Sequence, residues 1–303
     1  DLNRYTTAFN GGYNLTDKFK ARINVNILNN SSSNRPNLSY GTENIMYLFN
    51  CWFPRNTSTE TLRDYWQRGR VGVNQFNFNY NYHDNPYFNM FENTNGQDLN
   101  RVFGNLVLNY QFTPILGLML RSGTDINNEF RDRRRAYSTQ RFKLGSYREE
   151  KIFSEERNSD FLLNFTPENI GDFSYTLSIG GNRMDQRFKL SDISAPELAV
   201  PGIYSLNNTK VPVQSYTFNS KKRINSLYAF SNLAYKNYLY LDLSLRNDWS
   251  STLPKNNNSY LYYSASSSFV FSELINLDER LFSYGKIRLG YAQVGNDTDP
   301  YQL

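Results

Sequence analysis

The stretch NYLYLDLSLRNDWSSTLPKNNNSYLYYSASSSFVFSE (residues 237–273) contains two runs in which apolar and polar side chains alternate. In the first run every second residue from Leu239 to Leu245 is leucine, and the residues between are Tyr240, Asp242 and Ser244. Successive side chains of a β-strand point to opposite faces of its sheet. The first run therefore predicts a strand with one apolar and one polar face.

The second run repeats the pattern after a polar interruption. Here the polar positions are Ser264, Ser266 and Ser268, and the positions between them include Ala265 and Phe269. The interruption, NDWSSTLPKNNNS (residues 247–259), predicts a loop that joins two antiparallel strands. We expect the leucines to share one face with Ala265, Phe269 and Phe271, and the serines to share the other face with Tyr240 and Asp242.

The same two-residue period recurs along the chain, whereas the helical period is nearly absent. The further alternating segments are residues 6–15, 19–27, 101–112, 116–126, 158–165, 173–181, 225–235 and 285–294. No run approaches the roughly 18 apolar residues of a membrane-spanning helix. The sequence therefore predicts an all-β chain of about ten strands.

The connections between these strands alternate in length. Short turns are expected near residues 16–18, 113–115, 166–172 and 236–237; long polar connections are expected over 29–100, 127–157, 183–222 and 247–258, with 273–284 intermediate. Antiparallel up-and-down strands of about 9–11 residues, with tight turns at one end and long loops at the other, are typical of a transmembrane β-barrel. A soluble β-sandwich also produces alternation, but its long loops need not lie at one end.

Composition excludes several classes of function. Aromatic residues make up 16% of the 303 residues, which indicates a folded chain. Cys51 is the only cysteine, which excludes an intrachain disulfide and a cysteine-rich zinc site. His83 is the only histidine, which leaves little room for histidine-based catalysis or metal binding, and we expect no cofactor. No nucleophile arrangement accompanies His83 and Asp84, so we expect no enzymatic activity. The net charge of +5 is scattered, apart from RDRRR (residues 131–135), and does not indicate nucleic-acid binding.

Several segments resemble the SusC/RagA-like TonB-dependent transporters of Bacteroidetes outer membranes. The resemblance is carried by GYNLTDKFKARINVNIL (12–28), LRDYWQRGRVGVNQ (62–75), NPYFNMFEN (85–93), DLNRVFGNLVLNYQFT (98–113), RNDWSSTLPKNNNSYLYYSASSSFVFSE (246–273) and YGKIRLGYAQVGND (284–297). These segments keep the order of the family and extend over nearly the whole chain.

The resemblance implies a 22-stranded outer-membrane barrel that holds an N-terminal plug, a size at which the lumen is plugged rather than filled. It implies import of glycans or peptides together with a SusD-like surface lipoprotein. It also implies energy from the TonB–ExbB–ExbD complex, delivered through a TonB box near the N-terminus. No plug-like segment, TonB box or closing strand is visible in the sequence. We therefore expect residues 1–303 to be an internal part of one barrel domain, and a self-contained ten-stranded barrel is the alternative.

Two other functions remain open from the residues alone. A passive outer-membrane porin or secretion-system barrel would use the same wall without energy coupling. A soluble carbohydrate-binding β domain would need neither lipid nor TonB. In the barrel interpretation the leucine face contacts outer-membrane lipid and the polar face lines a water-filled interior.

The candidate contacts with substrate or partner are exposed aromatic side chains beside charges. They are Tyr65, Trp66 and Arg68 in one segment, Tyr87 in a second, and Trp249 at the end of the leucine run. Each has an alternative: the first four side chains could pack their own loop, and Trp249 could belong to an aromatic girdle at a membrane interface.

Charged runs in the long connections have simpler expectations. RDRRR lies in the predicted connection 127–157, where it would be a solvated loop or a contact for lipopolysaccharide phosphates or an acidic partner. Glu149–Glu150 and Glu155–Glu156 are expected to be solvated loop charges in the same connection.

Overall fold

The computed structural model describes residues 1–274 and 284–302, and it contains one antiparallel sheet of ten strands. Each strand pairs with its neighbours in sequence, so the order is β1 to β10 without a crossover. The strands are β1 (Asn3–Asn14), β2 (Phe19–Ser32), β3 (Asn95–Thr113), β4 (Leu116–Thr139), β5 (Phe142–Phe165), β6 (Phe173–Ala195), β7 (Gln214–Tyr235), β8 (Leu239–Ser250), β9 (Ser259–Phe269) and β10 (Ile287–Ala292). The predicted all-β, up-and-down architecture is confirmed, as one sheet rather than the two packed sheets of a sandwich.

Two short helices lie in the connection between β2 and β3. They are α1 (Ile45–Cys51) and α2 (Pro86–Phe91). Asn85 caps α2, because its side-chain oxygen accepts hydrogen bonds from the backbone N–H groups of Tyr87 and Phe88, and Pro86 opens the first turn. In the described ranges, no helix has both the length and the apolar character needed to cross a membrane.

The register places the apolar positions of all ten strands on one face. Leu241 pairs with Leu233 on one side and with Ser267 on the other, and Leu239 pairs with Phe269. The same face continues through β6, β5, β4, β3 and β2 along the predicted runs, for example Ile179 opposite Leu163 and Leu106 opposite Ile23. We call this surface the apolar face and the opposite surface the polar face. The predicted division of side chains between faces is confirmed for the strands.

Both faces of the sheet are accessible to solvent. The chain exposes 20,088 Å², whereas a compact protein of this mass exposes about 13,000 Å². Among the described residues β1 pairs only with β2, and β10 pairs only with β9, so the sheet is open. The residues that form the apolar face include many exposed large side chains, such as Leu227, Leu243 and Leu245. The sheet therefore has two surfaces that are suited to different surroundings.

The apolar band crosses the strands obliquely. Ile23 lies in the middle of the apolar run of β2, but its line of register passes through Leu106, Ser122 and Ser159 to Arg183. The band therefore drifts by about one residue at each strand. With a rise of about 3.3 Å per residue and about 4.8 Å between strands, this drift corresponds to a tilt of roughly 35°, which is the tilt of strands in a barrel.

The predicted asymmetry of the connections is confirmed, with two corrections. The connection predicted over 183–222 is shorter, because β6 extends to Ala195 and β7 begins at Gln214. Short turns (residues 15–18, 114–115, 166–172 and 236–238) lie at one end of the sheet, and the longer connections 33–94, 196–213 and 251–258 lie at the other. The connection predicted over 127–157 is wrong, because β4 and β5 are each 24 residues long and form a hairpin with a turn of two residues. Most of the connection predicted over 273–284 lies outside the described residues.

Phe271 is the other correction to the predicted faces. It belongs to a 3₁₀ turn, Phe271–Glu273, that follows β9, and not to the strand itself. The ring lies so close to Gly285 that a β-carbon there would force the ring to move. Phe271 therefore covers the backbone of the segment that leads into β10 and does not extend the apolar face.

Candidate functional site: the polar face and the loop module

Many charged side chains on the polar face of the sheet form ion pairs with one another. Arg121 forms two hydrogen bonds to Asp160 across β4 and β5, with the shorter at 2.7 Å. Arg101 binds Asp125 in the same bidentate way between β3 and β4. Arg246 donates to Asp248 at 2.7 Å farther along the sheet. Such pairs add modest stability at an accessible surface. The polar face therefore carries both signs of charge, much of it in cross-strand or same-strand pairs.

Asparagines form a row across the polar face. Asn10, Asn24 and Asn105 lie directly opposite one another on β1, β2 and β3, and the line continues through Gly123 to Asn158. Because Gly123 has no side chain, a groove of about 320 Å³ opens here. Phe103, Asp125 and Glu156 also line the groove. Amides both donate and accept hydrogen bonds, so the asparagines of the groove offer both kinds of partner to a polar solute.

The RDRRR segment lies in strand β4 and is not a loop. Arg131 and Arg133 project from the polar face and form ion pairs with Glu129 at 2.6 Å and with Glu150 at 3.2 Å. The predicted loop position of Glu149–Glu150 and Glu155–Glu156 is wrong for the same reason, because both pairs lie within β5. A solvated strand is polar on both faces, so its two-residue period is absent from the hydropathy pattern.

The connection 33–94 folds into a small unit, which we call the loop module. Leu48 of α1 and Pro86 and Phe88 of α2 are fully buried apolar side chains in this unit. The ring of Trp66 meets the ring of Phe88 edge to face, with centroids 5.3 Å apart, and Tyr65 meets it at 6.0 Å. The module therefore has a core of its own beside the long strands.

A buried polar network anchors the loop module to the tip of the β4–β5 hairpin. The side-chain amide of Gln75 donates to the carboxylate of Asp84 and to the backbone oxygen of Ser138, both at 2.8 Å. The backbone N–H of Gln140 donates to the same Asp84 oxygen at 2.7 Å. Burial raises the pKa of Asp84 to about 6, against the opposing effect of these hydrogen bonds.

A second anchor joins the loop module to strand β4. The guanidinium of Arg135 donates to both carboxylate oxygens of Glu43, at 3.0 and 2.8 Å. Burial would raise the pKa of Glu43, but the hydrogen bonds and charge of Arg135 lower it overall. Asn93 adds two contacts, because its side-chain oxygen accepts from the Ala136 N–H and the Thr139 hydroxyl. Sequence patterns contain no signal for Gln75, Glu43 or Asn93, which are isolated polar residues in a segment without periodicity.

The structure brings four of the five predicted contact residues together in the loop module. Tyr65 and Trp66 are half-buried against Phe88, and Tyr65 donates to Glu92 at 2.8 Å. Burial, followed by this carboxylate, raises the pKa of Tyr65 to about 12. Arg68 is exposed. Tyr87 stacks with Phe91 at 6.3 Å and lies under the guanidinium of Arg63.

Trp249 and His83 lie apart from that group. Trp249 is on the apolar face of β8, in line with Leu245 and opposite Asn225 of β7. His83 is 3% exposed, and its ring lies 4.7 Å from that of Trp52. Burial lowers the pKa of His83, and the adjacent Asp84 carboxylate points instead to Gln75 and Gln140.

Comparison with known proteins identifies the fold. No family model and no curated protein matches this chain. A structure of the RagAB peptide importer in the "closed-closed" state matches with a TM-score of 0.71 over 98% of this chain and 33% of that chain, at 16% identity. A structure of the RagAB peptide transporter matches with a TM-score of 0.69 over 96% and 32%, also at 16% identity.

A ferric-catecholate import receptor shares the fold with a lower TM-score. The open form of the ferric-catecholate import receptor Fiu from E. coli K12 matches with a TM-score of 0.52 over 96% of this chain and 46% of that chain, at 10% identity. The chain thus spans about a third of the length of the RagAB structures and under half of Fiu. Its ten tilted, antiparallel strands have the β-barrel fold of the TonB-dependent transporters.

Proposed function

We propose that this chain is part of the wall of an outer-membrane nutrient importer that works through TonB. The observation that carries the proposal is the continuous apolar face on ten tilted strands, opposite a polar face that carries ion pairs such as Arg121 with Asp160 and Arg246 with Asp248. A lipid-facing surface of a barrel needs an uninterrupted apolar band, and a lumen needs a hydrated lining. The structural neighbours are importers and receptors, which supports transport without bond chemistry.

The wall belongs, in this proposal, to a larger barrel that also has a plug. The open edges at β1 and β10 leave backbone groups that further strands would pair. The predicted 22-stranded barrel with a plug would supply both these strands and the connection to TonB–ExbB–ExbD.

The solute is proposed to be an oligosaccharide or an oligopeptide, captured with a SusD-like surface lipoprotein above the long connections. The asparagine row favours the oligosaccharide, because amide groups match hydroxyl groups in donating and accepting hydrogen bonds. The peptide is supported by the match to the RagAB peptide importer. Tyr65, Trp66, Arg68 and Tyr87 are proposed contacts because the loop module stands at the end where a partner would bind.

Uptake by the full-length protein in its own outer membrane tests the proposal. We expect accumulation of a fluorescent oligosaccharide or oligopeptide that stops when the gene for TonB is deleted. Uptake that continues without TonB would favour the passive porin or secretion barrel. Recovery of the protein from the soluble fraction without detergent would favour the soluble carbohydrate-binding domain.

A further inference from the structure

One patch of the apolar face is strongly basic. Directly beyond the apolar band, at the end with the long connections, strands β5, β6 and β7 carry six basic and two acidic side chains. These residues, which we call the basic cluster, are Arg157, Arg183, Arg187, Lys189, Lys221, Arg223, Glu155 and Asp185. The net charge of the cluster is +4, and the net charge of the whole chain is +5. The charge is therefore concentrated on one small outward patch.

The basic side chains project from the sheet and the acidic ones lie beneath them. The arginines of the cluster are 51–58% exposed, whereas Asp185 and Glu155 are 33% and 14% exposed. Arg183 and Arg223 each use the Nε atom to bind one oxygen of Asp185, at 2.8 and 2.6 Å. The hydrogen bonds of these two side chains to Asp185 run through Nε alone and both side chains are more than half exposed, and a guanidinium fork binds phosphate oxygens well.

An apolar groove lies immediately next to the basic cluster. Its centre is a single line of register formed by Leu120, Phe161, Gly181 and Leu227 on four adjacent strands. Gly181 makes the depression, because a β-carbon there would lie 2.7 Å from the Phe161 ring. The groove has a volume of about 470 Å³, and Arg183 is at its margin.

The order of side chains along the strands matches the order of groups in a phospholipid or glycolipid. Two residues farther along each strand, towards the long connections, the same face carries Ser122, Ser159 and Arg183. Two residues beyond these it carries Arg157 and Arg223. Four residues of strand span about 13 Å. That distance separates the upper part of an acyl chain from a head group in a bilayer leaflet.

We propose that this surface binds a phosphate-bearing lipid of the outer leaflet, with an acyl chain in the groove and its phosphates on the basic cluster. The proposal rests on the membrane location proposed above. The choice of a lipid over a free anion follows from the continuity of groove and cluster. The choice of phosphate follows from the exposed arginine forks. The RDRRR segment is not part of this proposed lipid site, because Arg131 and Arg133 lie on the opposite, polar face and form ion pairs there.

Native mass spectrometry of the full-length protein in detergent micelles tests the proposal with diphosphorylated lipid A as the probe. The variant is the triple substitution Arg187→Gln, Lys189→Gln and Lys221→Gln. Its matched control removes three exposed cations elsewhere, by Arg55→Gln, Lys210→Gln and Lys255→Gln. An interfacial cation contributes about fivefold to affinity for an anionic lipid. We therefore expect about a hundredfold weaker binding for the triple variant and unchanged binding for the control.

Two comparisons identify the ligand. Dephosphorylated lipid A should bind the wild-type protein at the level of the triple variant, and inorganic phosphate should not compete at millimolar concentration. Equal affinity for both forms of lipid A, or equal losses in variant and control, would overturn the lipid site. Full competition by inorganic phosphate would show an anion site instead. A wild-type protein that never enters the membrane fraction would defeat the proposed function, and that result is separate from any of these.

Discussion

Two adjacent serines in β9 provide a direct test of the two faces. Ser267 pairs with Leu241 on one side and with Leu289 on the other, on the apolar face. Ser266 points the opposite way, and its hydroxyl lies 3.4 Å from the carboxylate of Asp242. The same substitution at neighbouring positions of one strand therefore samples two environments with the backbone held constant.

Arginine should be tolerated at one position and rejected at the other. On the lipid side of a barrel near the bilayer midplane, arginine costs about 2–4 kcal/mol. Ser266→Arg places a guanidinium beside Asp242, where an accessible ion pair contributes about 0–1 kcal/mol. We expect Ser267→Arg to assemble less well than Ser266→Arg by at least about 2 kcal/mol, which is about thirtyfold in the equilibrium between assembled and unassembled protein.

The assay is outer-membrane fractionation of the full-length variants, followed by electrophoresis with and without heating to measure the folded barrel. Ser267→Leu is the control for position 267, because an apolar side chain on this face should allow assembly as good as that of the wild type or better. Equal recovery of Ser266→Arg and Ser267→Arg, or a greater loss for Ser266→Arg, would refute the assignment of faces. Leu241→Arg, on the same face, should behave like Ser267→Arg.

Three further changes probe the loop module and the wall. The raised pKa of Asp84 stabilises the protonated anchor at low pH, and this contribution of about 1–3 kcal/mol is lost as the pH rises through about 6. The protection of loop-module amides from hydrogen exchange should therefore vary less with pH in Asp84→Asn than in the wild type. His83 is present in both proteins, so any effect of its titration cancels in this comparison. The same pH dependence in the variant and the wild type would contradict the prediction. Phe88→Ala should destabilise the module by about 3–5 kcal/mol and speed its proteolysis, while barrel assembly is unaffected. Gly180→Val should reduce assembly, because a β-carbon there lies 2.6 Å from the Phe161 carbonyl oxygen; normal assembly of this variant would exclude that clash.

The sequence predicts the parts of the fold that adjoin the apolar band. Alternation identifies a strand when one face is apolar and the other polar, and this holds for the leucines of β8 and for Ile23 of β2. The predicted strand boundaries fail where both faces are polar. The sequence pattern therefore places Arg131 and Glu150 in a loop, although they lie in the two longest strands.

Contacts that join distant residues are the parts of the site that sequence patterns cannot reveal. Gln75 reaches Asp84 and Ser138, and Arg135 reaches Glu43 at a separation of 92 residues. These anchors depend on the path of the chain through the loop module, which no local period encodes. In contrast, the aromatic pair Tyr65 and Trp66 could be singled out by composition, and the structure adds that both rings pack against Phe88.

The length of the β4–β5 hairpin has a physical explanation and a consequence. An apolar band about 25 Å high needs only about ten residues of a tilted strand, so more than half of each 24-residue strand extends beyond it. There the backbone ladder persists without a hydrophobic face, and cross-strand pairs such as Arg133 with Glu150 supplement it. Because the loop module is anchored at the tip of this hairpin through Gln140, the hairpin holds the module far from the band. An extension of this kind holds the loop module at a distance from the apolar band that a flexible loop could not maintain.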